Sequence, residues 1–373
     1  MPKVIIGMSG GVDSSVTAYL LKEKGYEVEG VSFILWEDRS RSDLTTCCSL
    51  EAMEEASKTA CHIGISHSTI DARDDFTVKV IEPFIHAYTA GSTPNPCVLC
   101  NRFIKFPFLM KEAEKRGAEY ISTGHYARIE PAKSKENGAK SKNNSEYLHD
   151  YCLLKKGVDP KKDQSYVLYI LRQEELKRLI LPLGYYRKDE VRRIACELNL
   201  STAERTESQE ICFIEGRNYF KFIEKLSPVA GKPGPVVDMN GKVLGTHKGI
   251  HVYTIGQRKG LGISSPEPLY VVKIDALKNT VYVGSQEDAK KQEFLVQDVH
   301  WILPPASREF RASVKVRSMM RDEPATIWIA ESREQIAVRV IFDEPQWAPA
   351  PGQSAVFYDG DMVLGGGGII KVM

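Results

Sequence analysis

The chain has 373 residues, 42% of them hydrophobic, and its 50 Lys+Arg against 49 Asp+Glu leave a formal charge of +1. That length allows two or three domains with their own cores, which excludes a stapled mini-protein, and no apolar run approaches the roughly 20 residues that cross a bilayer. With a charge near zero, any nucleic-acid partner has to be held by local patches rather than by a globally basic body.

In chain order, Val4–Ile6 is a short β-branched run ended by glycine and serine, the pattern of a strand buried on both faces. Val16–Leu21 places apolar residues on one helical face, Gly25 stops it, and Val28–Ile34 returns as a strand. The alternation continues with a helix over Leu50–Cys61, a strand at His67–Ile70, helices over Asp75–Ala90 and Arg102–Arg116, and a strand at Ala118–Thr123. This predicts an α/β fold with a doubly wound parallel sheet and a ligand crevice at the carboxyl ends of its strands. The Lys-rich stretch from Pro131 to Asn144 reads as a surface insertion. Tyr151–Leu154 is expected to be a strand, and Tyr166–Arg172 and Lys188–Leu198 to be helical. Past Ser208 the texture turns to β: Pro235–Asp238, Lys242–Gly245, Leu269–Asp275 and Thr280–Val283 form one group of strands. A second group, Glu293–Val299, Phe310–Arg317, Ala325–Ile329, Ala337–Phe342 and Ala355–Tyr358, is spaced like a small barrel or sandwich. The expected domains are therefore 1–208, 209–288 and 289–373.

The N-terminus, MPKVIIGMSGG, carries no signal peptide, so the expectation is a cytoplasmic protein. Its eight cysteines, Cys47, Cys48, Cys61, Cys97, Cys100, Cys152, Cys196 and Cys212, would then serve metal, redox chemistry or burial rather than structural disulfides.

Three motifs carry chemistry. Ser9-Gly10-Gly11-Val12-Asp13-Ser14-Ser15 follows the first strand and leads into a helix, so adjacent glycines, serine hydroxyls and a helix N-terminus form a pyrophosphate cradle. It lacks the lysine and the GxxxxGK[ST] spacing of P-loop NTPases. Asp13 inside the cradle would repel phosphates unless a divalent cation such as Mg²⁺ lay between them. In Thr93-Pro94-Asn95-Pro96-Cys97-Val98-Leu99-Cys100-Asn101-Arg102 the prolines hold an extended approach, and Cys100 is expected at a helix N-terminus, where the dipole lowers a thiol's pKa. Cys97 and Cys100 also form a CxxC, half of a zinc site, but no second half follows. In Ser208–Ile214, Cys212 sits among strand-like apolar residues, which in isolation suits a core position.

SGGVDSS resembles the PP-loop of the adenine-nucleotide α-hydrolases, which split ATP to AMP and pyrophosphate. Taken with Cys47-Cys48-Ser49, TPNPxxxCNxxIKF, STGHYAR (Ser122–Arg128), KKDQSY (Lys161–Tyr166), ICFI, GQRKGLG (Gly256–Gly262), YVVKID (Tyr270–Asp275) and the late Pro351-Gly352-Gln353, the chain resembles the tRNA-specific 2-thiouridylases, the MnmA family, over nearly its whole length. The resemblance implies a PP-loop domain, a small central β domain and a C-terminal β-barrel. It implies ATP-dependent 2-thiolation of the wobble uridine of tRNAs of the Lys, Glu and Gln types, by a monomer that contacts the anticodon arm. A sulfur-relay protein or cysteine desulfurase would supply sulfur.

Position by position, the resemblance places ATP on Gly7, Met8, Ser9, Gly10, Gly11, Val12, Asp13 and Ser14, with Phe33, where the family usually has methionine, and Gly124 at the nucleotide. It assigns Cys100 as nucleophile and Cys212 as the persulfide carrier, with Asp13 also catalytic. It assigns tRNA contacts to Asn95, Pro96, Cys97, His125, Lys162, Asp163, Gln164, Arg317, Ser318 and Gln353. Many relatives have Asp where this chain has Cys97, so three thiols, Cys97, Cys100 and Cys212, could instead hold a [4Fe–4S] cluster with one open iron. The remaining Cys61, Cys152 and Cys196 are expected to be packing residues.

Local charge supports an RNA partner. Residues 308–321 carry five basic and one acidic residue, a net +4, and Arg311, Ser313, Lys315 and Arg317 alternate with apolar neighbours, so one face of a strand could meet phosphates. A solvated strand face explains the same pattern. Competing readings are a PP-loop ligase acting on a small carboxylate and an idle RNA-binding protein with the same fold.

Overall fold

The structure is a computed structural model that describes residues 1–36, 50–132, 150–203, 211–214, 218–305, 307–331 and 336–373. Cys47-Cys48-Ser49, most of the Lys-rich insertion and Ser208–Glu210 lie outside the described residues.

The first part contains strands β1 (Lys3–Gly7), β2 (Glu27–Ile34), β3 (Ser66–Asp71), β4 (Tyr120–Thr123), β5 (Ala127–Pro131), β6 (Cys152–Lys156) and β7 (Leu179–Ile180). Five of them form a parallel sheet in the order β3-β2-β1-β4-β7. Val4, Ile5 and Ile6 of β1 are fully buried, as a central strand covered on both faces requires. Helix α1 (Val12–Glu23) follows β1 and α2 (Leu50–Ile63) precedes β3. Because the chain leaves β1 for β2 on one side and later reaches β4 on the other, the strand order reverses there and a crevice opens at the carboxyl ends of β1 and β4.

Two long helices are interrupted by wider turns. The helix over 73–89 passes through a π-type turn at Thr77–Ile81, and that over 96–115 through another at Asn101–Lys105. The expected helix at Tyr166–Arg172 is absent: only a 3-10 turn, Ser165–Val167, forms there. Tyr166, Leu168, Tyr169, Ile170 and Leu171 are all buried, so the segment has no polar face for a helix to show to water. Instead it fills the seam between the parallel sheet and the C-terminal part, with the hydroxyls of Tyr166 and Tyr169 bonded to Ser354.

The central part is a four-stranded sheet of β8 (Gly234–Val237), β9 (Val243–His247), β10 (Tyr270–Asp275) and β11 (Thr280–Gly284), ordered β10-β11-β8-β9. Strands β12 (Lys290–Trp301), β13 (Glu309–Lys315), β14 (Glu323–Glu331), β15 (Ile336–Trp347), β16 (Ser354–Asp359) and β17 (Met362–Val372) then form an antiparallel barrel that closes through β12–β17 pairing. Its interior is apolar, with Phe294, Val314, Ile327, Val340, Phe342 and Phe357 buried together. The hairpin β5–β6 belongs by sequence to the first part, yet it pairs with β17 at Lys155↔Met362 and so extends the barrel sheet. One apolar cluster runs from Phe106, Leu109 and Ile121 to Ile302, Val356 and Tyr358, so the first part and the barrel share a core. Among the described residues, no helix is long and apolar enough to cross a membrane.

Candidate active site

The cradle forms because β1 ends at Gly7 and the chain turns straight into α1, whose N-cap is Gly11. The hydroxyls of Ser14 and Ser15 donate to the Gly11 carbonyl at 3.1 and 3.0 Å, and the Ser9 N–H donates to Ser14 Oγ at 3.2 Å. Ser15 is fully buried, its hydroxyl bonded back to the first helical turn, and does not line the crevice. The turn after β4 presses against the same helix end: a Cβ on Gly124 would stand 2.9 Å from the Ser14 nitrogen, so only glycine lets the two segments meet.

A cavity of about 250 Å³ opens between them. From the cradle it is lined by Gly7, Met8, Ser9, Asp13 and Ser14, from the end of β2 by Ser32, Phe33 and Leu35, and on the far side by Lys105, Gly124, His125 and Gln164. Gly10 and Gly11 shape the turn without lining the cavity, and Val12 is buried in the core. Phe33 meets Phe108 edge-on at 6.2 Å, which leaves an aromatic wall where the resemblance placed adenosine.

Asp13 Oδ1 accepts two bonds of 2.6 Å, one from the Tyr126 hydroxyl and one from Lys188 Nζ. The lysine side chain is 9% exposed. Lys188 thus sets an ammonium beside this carboxylate, which offsets charge that would repel phosphates. No group of three His, Cys, Asp or Glu side chains forms a metal site among the described residues.

The thiols require a correction. Asn95 is the N-cap, its Oδ1 accepting from the Cys97 N–H at 3.1 Å, and the helix begins at Pro96, so Cys97 occupies the first turn and Cys100 lies beyond it. Cys100 is 3% exposed, and burial pushes its thiol up to about 12, against the partial relief of Lys105's charge. The expected dipole-lowered thiol is therefore absent. Cys97 reaches solvent, but the protein around it and the Cys212 sulfur still raise its thiol. Cys212 is half-buried, and both Cys100 and Cys212 belong to an apolar cluster with Phe213 and Ile214. Cys97, Cys100 and Cys212 thus influence one another, but among the described residues no metal-holding group of three His, Cys, Asp or Glu side chains includes them. Cys61 and Cys196, expected to be packing residues, are exposed, and Cys152 is half-buried.

Lys105 joins the two halves of the site. The π-type turn immediately after Cys100 ends on it, it lines the cavity, and its charge acts on Cys97, Cys100 and His125. His125 bonds Thr123 Oγ1 through Nδ1 at 2.7 Å and stacks on Phe106. Burial and Lys105 push its pKa down to about 3, so it is neutral.

Several residues assigned to tRNA are committed within the protein. Asp163 accepts from Gly157 N, Ser165 N and Ser165 Oγ and faces Lys315 Nζ at 3.6 Å, with its side chain 5% exposed. Gln164 Oε1 accepts from the Tyr126 N–H. Arg317 donates to the carbonyls of Ile255 and Ala348, and Gln353 donates to that of Thr93. Arg311 pairs with Asp343, so the strand face expected to meet phosphates has most of its charge satisfied internally. Asn95 is half-buried, Pro96 is buried, and Lys162 and Ser318 are half-exposed.

Sequence reading assigned no role to Lys105, Tyr126 or Lys188. The first two lie inside motifs it quoted; Lys188 gave no local signal, because only the fold brings it to a residue 175 positions away.

Family models match in three consecutive stretches: a tRNA methyl transferase HUP domain over 2–216, a tRNA methyl transferase PRC-barrel domain over 221–285 and an aminomethyltransferase beta-barrel domain over 291–369. The chain is 48% identical to tRNA-specific 2-thiouridylase MnmA 1 of Caldanaerobacter subterraneus subsp. tengcongensis, covering 99% of this chain and 98% of that one. It is 45% identical to the tRNA-specific 2-thiouridylase MnmA of Clostridioides difficile, over 99% and 98% of the two chains. Against that of Halothermothrix orenii it is 44% identical, over 100% and 99%. With a nucleotide-type cradle, neighbouring thiols and likeness along the whole chain in agreement, this protein belongs to the tRNA-specific 2-thiouridylase (MnmA) family.

Proposed function

We propose that this chain is an ATP-dependent tRNA 2-thiouridylase, acting as a cytoplasmic monomer on the wobble uridine of tRNAs of the Lys, Glu and Gln types. The observation that carries the reading is the position of Lys105, which lines the cavity beside the cradle and also acts on the thiols. An activated oxygen and a sulfur source can thus share one site. The names of relatives matched from end to end point to thiolation.

The uracil C2 oxygen is a poor leaving group, so it first attacks the α-phosphorus of ATP, the bond to the β-phosphate breaks, and pyrophosphate departs. The cradle's N–H groups and the neutralised Asp13 suit that charge. The terminal sulfur of a Cys212 persulfide then adds to C2 and AMP leaves. Attack of the Cys100 thiolate on the Cys212 sulfur releases C2=S and leaves a Cys100–Cys212 disulfide, which an external thiol reduces. A sulfur-relay protein or cysteine desulfurase reloads Cys212. Because burial keeps the Cys100 thiol protonated in the free protein, its deprotonation belongs to the tRNA-bound state. A wobble base already lies in a single-stranded loop, so bringing it to the cavity costs about a few kcal/mol at most.

The test incubates the protein with unmodified tRNA, ATP and a sulfur donor. Wild type is expected to form 2-thiouridine and pyrophosphate, and Cys212→Ser to keep tRNA-dependent pyrophosphate release while losing thiolation. Thiolation by Cys212→Ser at the wild-type rate refutes the mechanism, and pyrophosphate release that needs no tRNA refutes the substrate.

A further inference from the structure

The segment that enters the thiol helix is gripped from outside its own part of the molecule. Thr93 is 7% exposed, and the turn ahead of β16 binds both of its backbone groups. The Thr93 N–H donates to the Pro351 carbonyl at 2.8 Å, and Gln353 Nε2 donates to the Thr93 carbonyl at 2.8 Å. Between them Gly352 has φ +89°, and a Cβ there would stand 3.0 Å from the Thr93 nitrogen and 3.1 Å from the Ser92 Cβ, so the approach depends on glycine.

The grip is anchored in the barrel. Gly352 N–H donates to the Ile369 carbonyl, Ile369 N–H donates back to Gln353, and the next residue, Ser354, takes the two tyrosine hydroxyls of the seam. On the other side the chain from Thr93 to the helix is short and stiff. Pro94 and Pro96 fix φ, and Asn95 caps the helix onto Cys97. A displacement of Thr93 therefore moves the helix start instead of being absorbed in a soft loop.

We propose that Gln353 is a positioning residue for the thiol site: through its clasp on Thr93 the barrel sets where Cys97 and Cys100 stand relative to the cavity. The proposal rests on the thiolation reading above for its catalytic meaning. It gives the Gln353 side chain, which donates through Nε2 to the Thr93 carbonyl, a structural role where the resemblance assigned a tRNA contact.

The test uses the full-length chain with Gln353→Ala and Gln353→Glu, the second presenting a carboxylate to a carbonyl that needs a donor. Three quantities are measured: the single-turnover thiolation rate at saturating tRNA, the Kd for tRNA, and the rate at which iodoacetamide alkylates Cys100 in the free protein. Loss of one hydrogen bond that holds a site in place is expected to lower the single-turnover rate about tenfold, leave the Kd within about twofold and speed Cys100 alkylation several-fold. A Kd weakened about tenfold with the saturated rate unchanged would show a tRNA contact and overturn the proposal. Rate and alkylation both equal to wild type would overturn it as well. If wild type itself thiolates no tRNA, the thiolation reading fails, while Cys100 alkylation still decides whether the clasp orders the thiol helix.

Discussion

Lys188 is expected to matter more than any other residue outside the recognised motifs, because it neutralises the carboxylate at the mouth of the cradle. At the 2.6 Å separation of Lys188 Nζ and Asp13 Oδ1, the Coulombic attraction is roughly 6 kcal/mol for an effective dielectric constant of about 20. Desolvation of the lysine, and a carboxylate that is 33% exposed, reduce the net contribution to about 1–2 kcal/mol. Lys188→Met should therefore lower the unfolding temperature by only about 2–4 °C. Its effect on ATP should be larger, since the variant leaves an uncompensated carboxylate beside the phosphates: a loss of affinity of roughly ten- to a hundredfold. Asp13→Asn relieves that repulsion, so the double variant should bind ATP more tightly than Lys188→Met alone, a coupling that a double-mutant cycle measures. Calorimetric titration with a non-hydrolysable ATP analogue gives all four affinities. Strict additivity, or a Lys188→Met protein that binds as wild type does, would refute the reasoning.

Stability should fall at both ends of the pH scale. The Cys100 thiol stands at about 12 in the folded chain against an ordinary 9.0, so the unfolded chain loses that proton first and stability drops as pH rises from 9.0 towards 12. Each unit costs up to about 1.4 kcal/mol, and urea midpoints of Cys100→Ser should lack that slope. His125 stands at about 3 against 6.5, so the unfolded chain gains a proton the folded one refuses, and stability drops as pH falls below 6.5; in His125→Gln this slope should disappear. Arg317→Met should cost about 2–3 kcal/mol, because the carbonyls of Ile255 and Ala348 lose their shared donor, and it should expose the stretch around Ile255 to limited proteolysis. Cys97→Asp should retain thiolation in iron-free protein; loss of activity in that variant together with bound iron in wild type would contradict the persulfide route.

The candidate site was legible in the sequence in uneven measure. The cradle could be read because its parts are consecutive: a strand, two glycines, hydroxyls and a helix start need no partner from afar. The thiol at Cys100 was misread for the converse reason. Its pKa depends on where the helix begins and on how much protein surrounds the sulfur, and Asn95 starts the helix one turn earlier than the apolar pattern suggested. The basic strand stayed open between a phosphate-facing and a solvated face, because Asp343 and Asp163, which engage Arg311 and Lys315, come from other strands and loops.

What the sequence determined by itself is the set of short-range facts: buried β-branched strands, the Gly-rich turn into a helix, the polar-apolar alternation of the barrel, and the family motifs. The tertiary structure alone decided which charges are spent. Lys188 on Asp13, Lys315 on Asp163 and Gln353 on Thr93 join residues 175, 152 and 260 positions apart. Such pairs leave no local pattern, because an ion pair or hydrogen bond depends on distances of a few ångströms in space and is indifferent to separation along the chain.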